Sequence, residues 1–133
     1  ERVLEIGTGC RYQTAMLAHL GARVYSVEVI PELAETARKR LSELGVENTE
    51  VVRGDGFAGL PEHAPYDGII VTAAPERIPK DLVAQLRPGG RLVLPVGPRT
   101  GPQTLKRIVK NADGTTSHDD TLPVAFVPMV KGG

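Results

Sequence analysis

Apolar and polar positions alternate in blocks whose period changes along the chain. Val3 to Ile6 form a short apolar run closed by glycines, Gln13 to Leu20 carry a helical spacing stopped by Gly21, and Arg23 to Glu28 have the β-branched character of a strand. The three predict one βαβ unit. Pro31 then stands where a first helical turn accepts proline, Leu33, Ala37, Leu41 and Leu44 recur at spacings of four and three, and Gly45 is the expected stop. On this helix Glu35 and Lys39 are spaced for a favourable pair, and the basic run Arg38 to Arg40 is expected to be its wet face. Thr49 to Arg53 predict a third strand, and Gly68 to Val71 a fourth whose unbroken apolar run suits a strand covered on both faces. Ile78, Leu82 and Leu86 mark a helix after Pro79, Arg87 to Gly90 a turn, and Arg91 to Val96 a fifth strand in which Pro95 is a misfit. The pattern then switches to two strand-like segments, Thr104 to Lys110 and Leu122 to Val130, separated by a polar stretch with Asp113-Gly114. Pro123 and Pro128 argue that this last ribbon is partly an edge or bulged. The expected fold is α/β: a Rossmann-like, doubly wound, mostly parallel sheet ending in an antiparallel C-terminal strand pair.

Composition narrows this only a little. The 133 residues are 41% apolar and 24% charged, as one globular domain would be. Sixteen basic residues balance sixteen acidic ones, so no overall field favours nucleic acid or an anionic membrane, and neither is expected as a partner. The single cysteine, Cys10, excludes a disulfide framework within these residues and fits a reducing compartment, with cytoplasm the expected location. No apolar run reaches the roughly 20 residues that span a bilayer, and no secretory pattern opens the chain. It opens instead at Glu1, already at the first strand, and reads as a fragment.

The candidate chemistry begins at Leu4-Glu5-Ile6-Gly7-Thr8-Gly9. Glycines after a first strand let backbone approach a ligand, and the next helix directs free N–H groups into the same crevice. Glu28, at the end of the second strand and 21 positions beyond Gly7, is placed to accept both hydroxyl protons of a ribose. Together they suggest an adenosine cofactor. A dinucleotide fingerprint would carry a third glycine at position 12, where Tyr12 stands, which weakens a pyrophosphate-bearing ligand. A sulfonium cofactor needs no such cradle, and Asp55 with Gly56, after the third strand, is placed to accept from an adenine amino group. His19, His63 and His118 read as surface residues, Ser26, Ser42 and Ser117 lack a nucleophile's context, and Cys10 reads as a small packing residue near the ligand turn. No catalytic acid, base or nucleophile and no metal ligand is assigned.

The blocks Val3 to Gly9, Tyr12-Gln13-Thr14-Ala15, Gly54-Asp55-Gly56, Pro65-Tyr66-Asp67, Thr72-Ala73-Ala74-Pro75, Leu86 to Leu92, Leu94-Pro95-Val96-Gly97 and Phe126-Val127-Pro128-Met129 resemble the protein-L-isoaspartate O-methyltransferases. The first block is shared by many S-adenosylmethionine-dependent methyltransferases, whereas the Thr72 block, the Pro-Val-Gly strand end and the Phe-Val-Pro-Met ending are closer to this one family. The resemblance implies the class I methyltransferase fold over residues 1–133. It also implies S-adenosylmethionine as cofactor and methyl transfer to the free α-carboxylate of L-isoaspartyl residues in damaged peptides and proteins. Carried over by position, cofactor contacts fall on Gly7, Gly9, Glu28, Val29, Asp55 and Gly56, and substrate contacts on Thr72, Ala73, Ala74 and Pro75. Thr72 to Pro75 offer neither the Asn- or Asp-Pro-Pro-aromatic group of amide and amine methyltransferases nor acidic metal ligands, and this small wall suits an approaching peptide main chain.

Two departures from the family stand out. Arg11 replaces a third glycine of the first turn, which would cost roughly 1 kcal/mol or more at positive φ. The family's N-terminal segment, with a Thr-Ile-Ser type motif, does not precede the first strand, so weak or absent turnover is expected of these 133 residues alone. The alternatives are a noncatalytic adenosine-binding module of the same fold, or a methyltransferase for another carboxylate or a small molecule.

Overall fold

The computed structural model describes residues 1–7, 23–56, 58–72, 78–96 and 103–124, with backbone alone for 103–105 and 119–124. Among them are seven strands: β1 (Arg2–Ile6), β2 (Arg23–Glu28), β3 (Thr49–Arg53), β4 (Tyr66–Val71), β5 (Leu86–Val96), β6 (Gln103–Lys110) and β7 (Thr116–Val124). Helix α1 (Pro31–Glu43) lies between β2 and β3, and the short α2 (Lys80–Ala84) precedes β5. All strands join one sheet in the order β3-β2-β1-β4-β5-β6-β7, the first five parallel and the last two antiparallel. The fold is therefore the expected one, hairpin included.

The apolar runs form these strands because both sheet faces are covered. One face carries Leu4, Ile6, Tyr25, Val27, Ile69, Val71, Leu92, Leu94 and Ile108, all packed in one cluster with Leu60, Tyr66, Leu82 and Leu86. On the other, α1 lays Ala34, Ala37 and Leu41 against Val51. The stripe is the predicted one at Ala37 and Leu41 but not at its ends: Leu33 and Leu44 are 48% and 60% exposed, and Ala34 joins the contact because a short side chain lets the helix lie close to the sheet. Gly45, at φ +73, ends α1 as predicted, its N–H bonded to the Ser42 carbonyl and that of Val46 to Leu41. Glu35 pairs with Arg38 at 2.9 Å rather than with Lys39. Arg38 is also more than a wet residue, since its Nε donates to the Val51 carbonyl at 2.9 Å on the edge strand β3.

Around α2 the boundaries move. The helix is only five residues long and Leu86 already belongs to β5, because Pro88 disfavours helical backbone at Arg87. The predicted Arg87–Gly90 turn is a bulge inside β5: Tyr66 pairs with Leu86, yet Gly68 pairs with Arg91. Gly90 makes it possible, since a Cβ there would come within 2.9 to 3.1 Å of the Arg87, Tyr66 and Asp67 carbonyl oxygens. Pro95 now has an account. Pairing with β4 extends only to Val93, so Pro95 faces a paired strand on the β6 side alone, an edge-like setting that proline tolerates. Pro123 lies on β7, the sheet edge, as its chemistry requires. That strand begins at Thr116, six residues before the predicted start, because an edge strand needs no apolar alternation and the Asn111–Thr115 turn sets where it begins. Residues 125–130 of the prediction, with Pro128, fall outside the described residues, as does the Gln13–Leu20 helix. No described helix is long and apolar enough to cross a membrane.

At the amino edge of the sheet, Asp67 gathers three strands. Its carboxylate accepts the Arg2 backbone N–H at 2.6 Å and the Arg87 guanidinium, joining β1, β4 and β5. The Arg2 N–H foremost, and then Arg87, hold its carboxyl below the usual carboxylate range. A depressed folded-state pKa stabilises above the unfolded value, near 4, and the contribution is lost as pH falls through the folded one. Asp67→Asn in the full-length protein should therefore lower the urea midpoint at pH 6, with the gap from wild type closing as the pH approaches 2. A gap independent of pH would contradict the assignment.

Candidate functional site

Starting from β1, the chain winds to β2 and β3 on one side and to β4 and β5 on the other, so the direction of winding reverses between β1 and β4. Loops leaving the carboxyl ends of strands on either side of such a point diverge and leave a crevice. Register aligns its rim. Ile6 pairs with Val27 on β2 and with Val71 on β4, and Glu28 pairs with Arg53 on β3. Gly7, Glu28, Arg53 and Thr72 consequently stand at one level across four adjacent strand ends.

Hydrogen bonds beyond the ladders lock that level. The Gly7 N–H donates to the Val27 carbonyl at 2.7 Å. The Ile6 carbonyl accepts both the Thr72 N–H at 3.1 Å and the Thr72 hydroxyl at 2.9 Å. Gly7 itself has φ +93, and a Cβ there would lie 2.5 Å from Thr72 Oγ1. Only glycine meets both demands. On the other flank the Glu28 carbonyl accepts the Gly54 N–H at 3.0 Å, tying the end of β2 to the turn that carries Asp55 and Gly56. Glu28 is 7% exposed, Gly56 is buried, and Val29 and Asp55 are half-buried.

The structure thus gathers Gly7, Glu28, Val29, Asp55, Gly56 and Thr72 on one edge. Gly9, Ala73, Ala74 and Pro75 lie outside the described residues, as do Cys10, Arg11, Tyr12 and His19. A glycine turn flanked by two carboxylates suits a ligand with a vicinal diol and an amino-bearing ring, since both carboxylates act as acceptors. Glu5 is a residue that sequence reasoning passed over. It is 1% exposed, two positions before Gly7, and accepts the Ser26 hydroxyl at 3.1 Å. Its signal was a charge set between Leu4 and Ile6 in an otherwise apolar run.

The remaining polar candidates lie elsewhere. Ser26 is committed to Glu5, and His118 stands exposed on β7 beside Thr116. His63 is not a plain surface residue: it stacks on Tyr25 at 4.2 Å between ring centroids, with Glu50 at 3.6 Å, but on the amino edge away from the crevice. A concavity of about 520 Å³ between α1 and β3, lined by Arg38, Ser42 and Glu50 among others, is likewise remote. Among the described residues no cluster of three or more His, Cys, Asp or Glu could hold a metal ion.

Known proteins resemble this chain in sequence and in fold. The family model for protein-L-isoaspartate(D-aspartate) O-methyltransferase matches residues 1–133. The chain is 52% identical over 128 residues to protein-L-isoaspartate O-methyltransferase 2 of Polaromonas sp. strain JS666, covering 96% of this chain and 61% of that protein. It is 50% identical over 130 residues to protein-L-isoaspartate O-methyltransferase of Gloeobacter violaceus, covering 98% and 63%. The chain therefore spans about three fifths of the length of these curated relatives. A solved protein-L-isoaspartate O-methyltransferase superposes with a TM-score of 0.90 at 33% identity, over 97% of this chain and 42% of the other. A Plasmodium falciparum structure in complex with S-adenosyl-L-homocysteine shares the fold, with a TM-score of 0.76 at 20% identity over 97% of this chain and 65% of that one.

The Gly7 contact can be tested by pairing substitutions. Gly7→Ala in the full-length protein should cost more than about 1 kcal/mol in chemical denaturation, from the positive φ and the clash together. Adding Thr72→Gly should recover the steric part and leave the backbone strain. Simple additivity of the two losses would show that the residues do not meet.

Proposed function

The chain belongs to the protein-L-isoaspartate(D-aspartate) O-methyltransferase family, and from that premise we propose that the protein containing it methylates the free α-carboxylate of L-isoaspartyl residues, with S-adenosylmethionine as donor. The observation that carries this reading is the common level of Gly7, Glu28 and the Asp55 turn across adjacent strand ends. Glu28 accepts the two ribose hydroxyls, Val29 packs beside the sugar, and Asp55 with Gly56 receives the adenine amino group. Gly7 and Gly9 bring bare backbone to the cofactor, and at Gly7 the space for a side chain is already closed by Thr72. The residues present fit the group. Thr72, Ala73, Ala74 and Pro75 are the residues assigned to contact the peptide.

When bound, the cofactor supplies a methyl group already activated by its positive sulfur. The acceptor needs no activation either, since a carboxylate with a pKa of about 3 to 4 is ionised near neutrality. What the chain must provide is alignment, and holding an oxygen in line with the methyl group is worth on the order of 7 to 11 kcal/mol in favourable cases. This division of labour agrees with assigning no catalytic acid or base.

With methyl-labelled S-adenosylmethionine, the full-length protein should label an isoaspartyl peptide and leave the matched aspartyl peptide unlabelled. Glu28→Ala should raise the KM for the cofactor by about tenfold to a hundredfold, the loss of charge-assisted hydrogen bonds, with a smaller effect on kcat. Equal labelling of both peptides, or none, would overturn the proposed substrate.

A further inference from the structure

Gln85, which ends α2, is buried at 8% exposure, although its carboxamide has both donors and an acceptor to satisfy. It meets the acceptor and one donor on a single stretch of backbone. Its Oε1 accepts the Leu60 N–H at 2.9 Å, and its Nε2 donates to the Ala58 carbonyl at 2.8 Å. The side chain so imitates a rung of β ladder against residues 58–60. Tyr66 closes the same corner, its hydroxyl donating to the Leu60 carbonyl and its N–H to the Gln85 carbonyl. Gly59, at φ +65, lies flush against the carboxamide, since a Cβ there would be 2.5 Å from Gln85 Oε1 and 2.9 Å from Leu82 Cδ2.

Residues 58–60 in turn hold the Asp55–Gly56 turn. The Ala58 N–H donates to the Asp55 carbonyl at 3.1 Å, and the Gly59 N–H to the Gly56 carbonyl at 3.4 Å. At its other end the turn is tied to β2 by the Gly54 N–H. One side of the turn is thus fixed by the sheet and the other by the side chain of the residue that ends α2.

We propose that Gln85 is a positioning residue for the adenine end of the cofactor site, acting through residues 58–60 on the Asp55–Gly56 turn; this rests on the cofactor reading above. Without the carboxamide, the buried Leu60 N–H and the Ala58 carbonyl lose their partners, and the segment must move to regain them. Affinity then falls with the fraction of molecules whose turn is in place.

The test is calorimetric binding of S-adenosylhomocysteine and of S-inosylhomocysteine, which lacks the adenine amino group, to the full-length protein. Gln85→Met should weaken S-adenosylhomocysteine by about tenfold and the inosyl compound by about twofold or less. Gln85→Glu keeps the volume and the bond from Leu60 but cannot donate to Ala58, so it should fall between, and it keeps the test open should the methionine variant not fold. Lys110→Met is the control. Lys110 Nζ donates to the Leu86 and Val83 carbonyls at 3.0 and 3.4 Å, so the substitution loosens the same junction without touching 58–60, and affinity should not change. Gln85 variants that bind like wild type, that lose both nucleosides equally, or that are matched by Lys110→Met would overturn the proposal. A wild-type protein that binds neither nucleoside would instead overturn the cofactor reading.

Discussion

The carbonyl of Ile6 receives two donors from one residue, the N–H and the hydroxyl of Thr72, while Gly7 folds over at a φ open only to glycine. That contact fixes where β1 ends relative to β4, and the Gly7 N–H on Val27 fixes where it ends relative to β2. The two central contacts of the parallel sheet are thereby brought to one height at the point where the winding reverses. A crevice there follows from topology; its sharp rim follows from these bonds.

The rest of the site extends the same device outward. Glu28 is the last residue of β2, and its own carbonyl holds the turn that carries Asp55, so two acidic side chains separated by 27 positions come to neighbouring strand ends. Backbone hydrogen bonds do this more rigidly than side-chain contacts could, because each is anchored in a strand on at least one side. For a reaction whose donor and acceptor both arrive activated, such rigidity is the main thing a protein can contribute. Gln85 is the same idea from the end of α2, a side chain bonding to the 58–60 backbone as a neighbouring strand would.

How much of this is legible in the sequence depends on the range of the interaction. β2 and β3 stand at their predicted bounds because apolar β-branched runs meet polar or glycine punctuation at both ends. That Gly7 and Glu28 stand at the ends of β1 and β2 is legible for the same local reason, since each marks where an apolar run stops. The face of α1 is less so: Ala37 and Leu41 are buried as the spacing predicts, but the stripe's ends Leu33 and Leu44 are exposed and Ala34 takes a place at the contact that no leucine marks. The bulge that absorbs Arg87 to Gly90 depends on carbonyls of β4. Least legible are the staples themselves, since Thr72 reaches across 66 positions to Ile6 and Gln85 across 25 to Leu60. Nothing in a local pattern announces a partner that far away.

The most direct measurement is a crystal structure of the full-length protein grown with S-adenosylhomocysteine. The expected result is the nucleoside seated over Gly7, with both ribose hydroxyls on the Glu28 carboxylate and the adenine amino group on Asp55. A nucleoside bound anywhere else, or a Glu28 side chain turned away from the sugar, would contradict it.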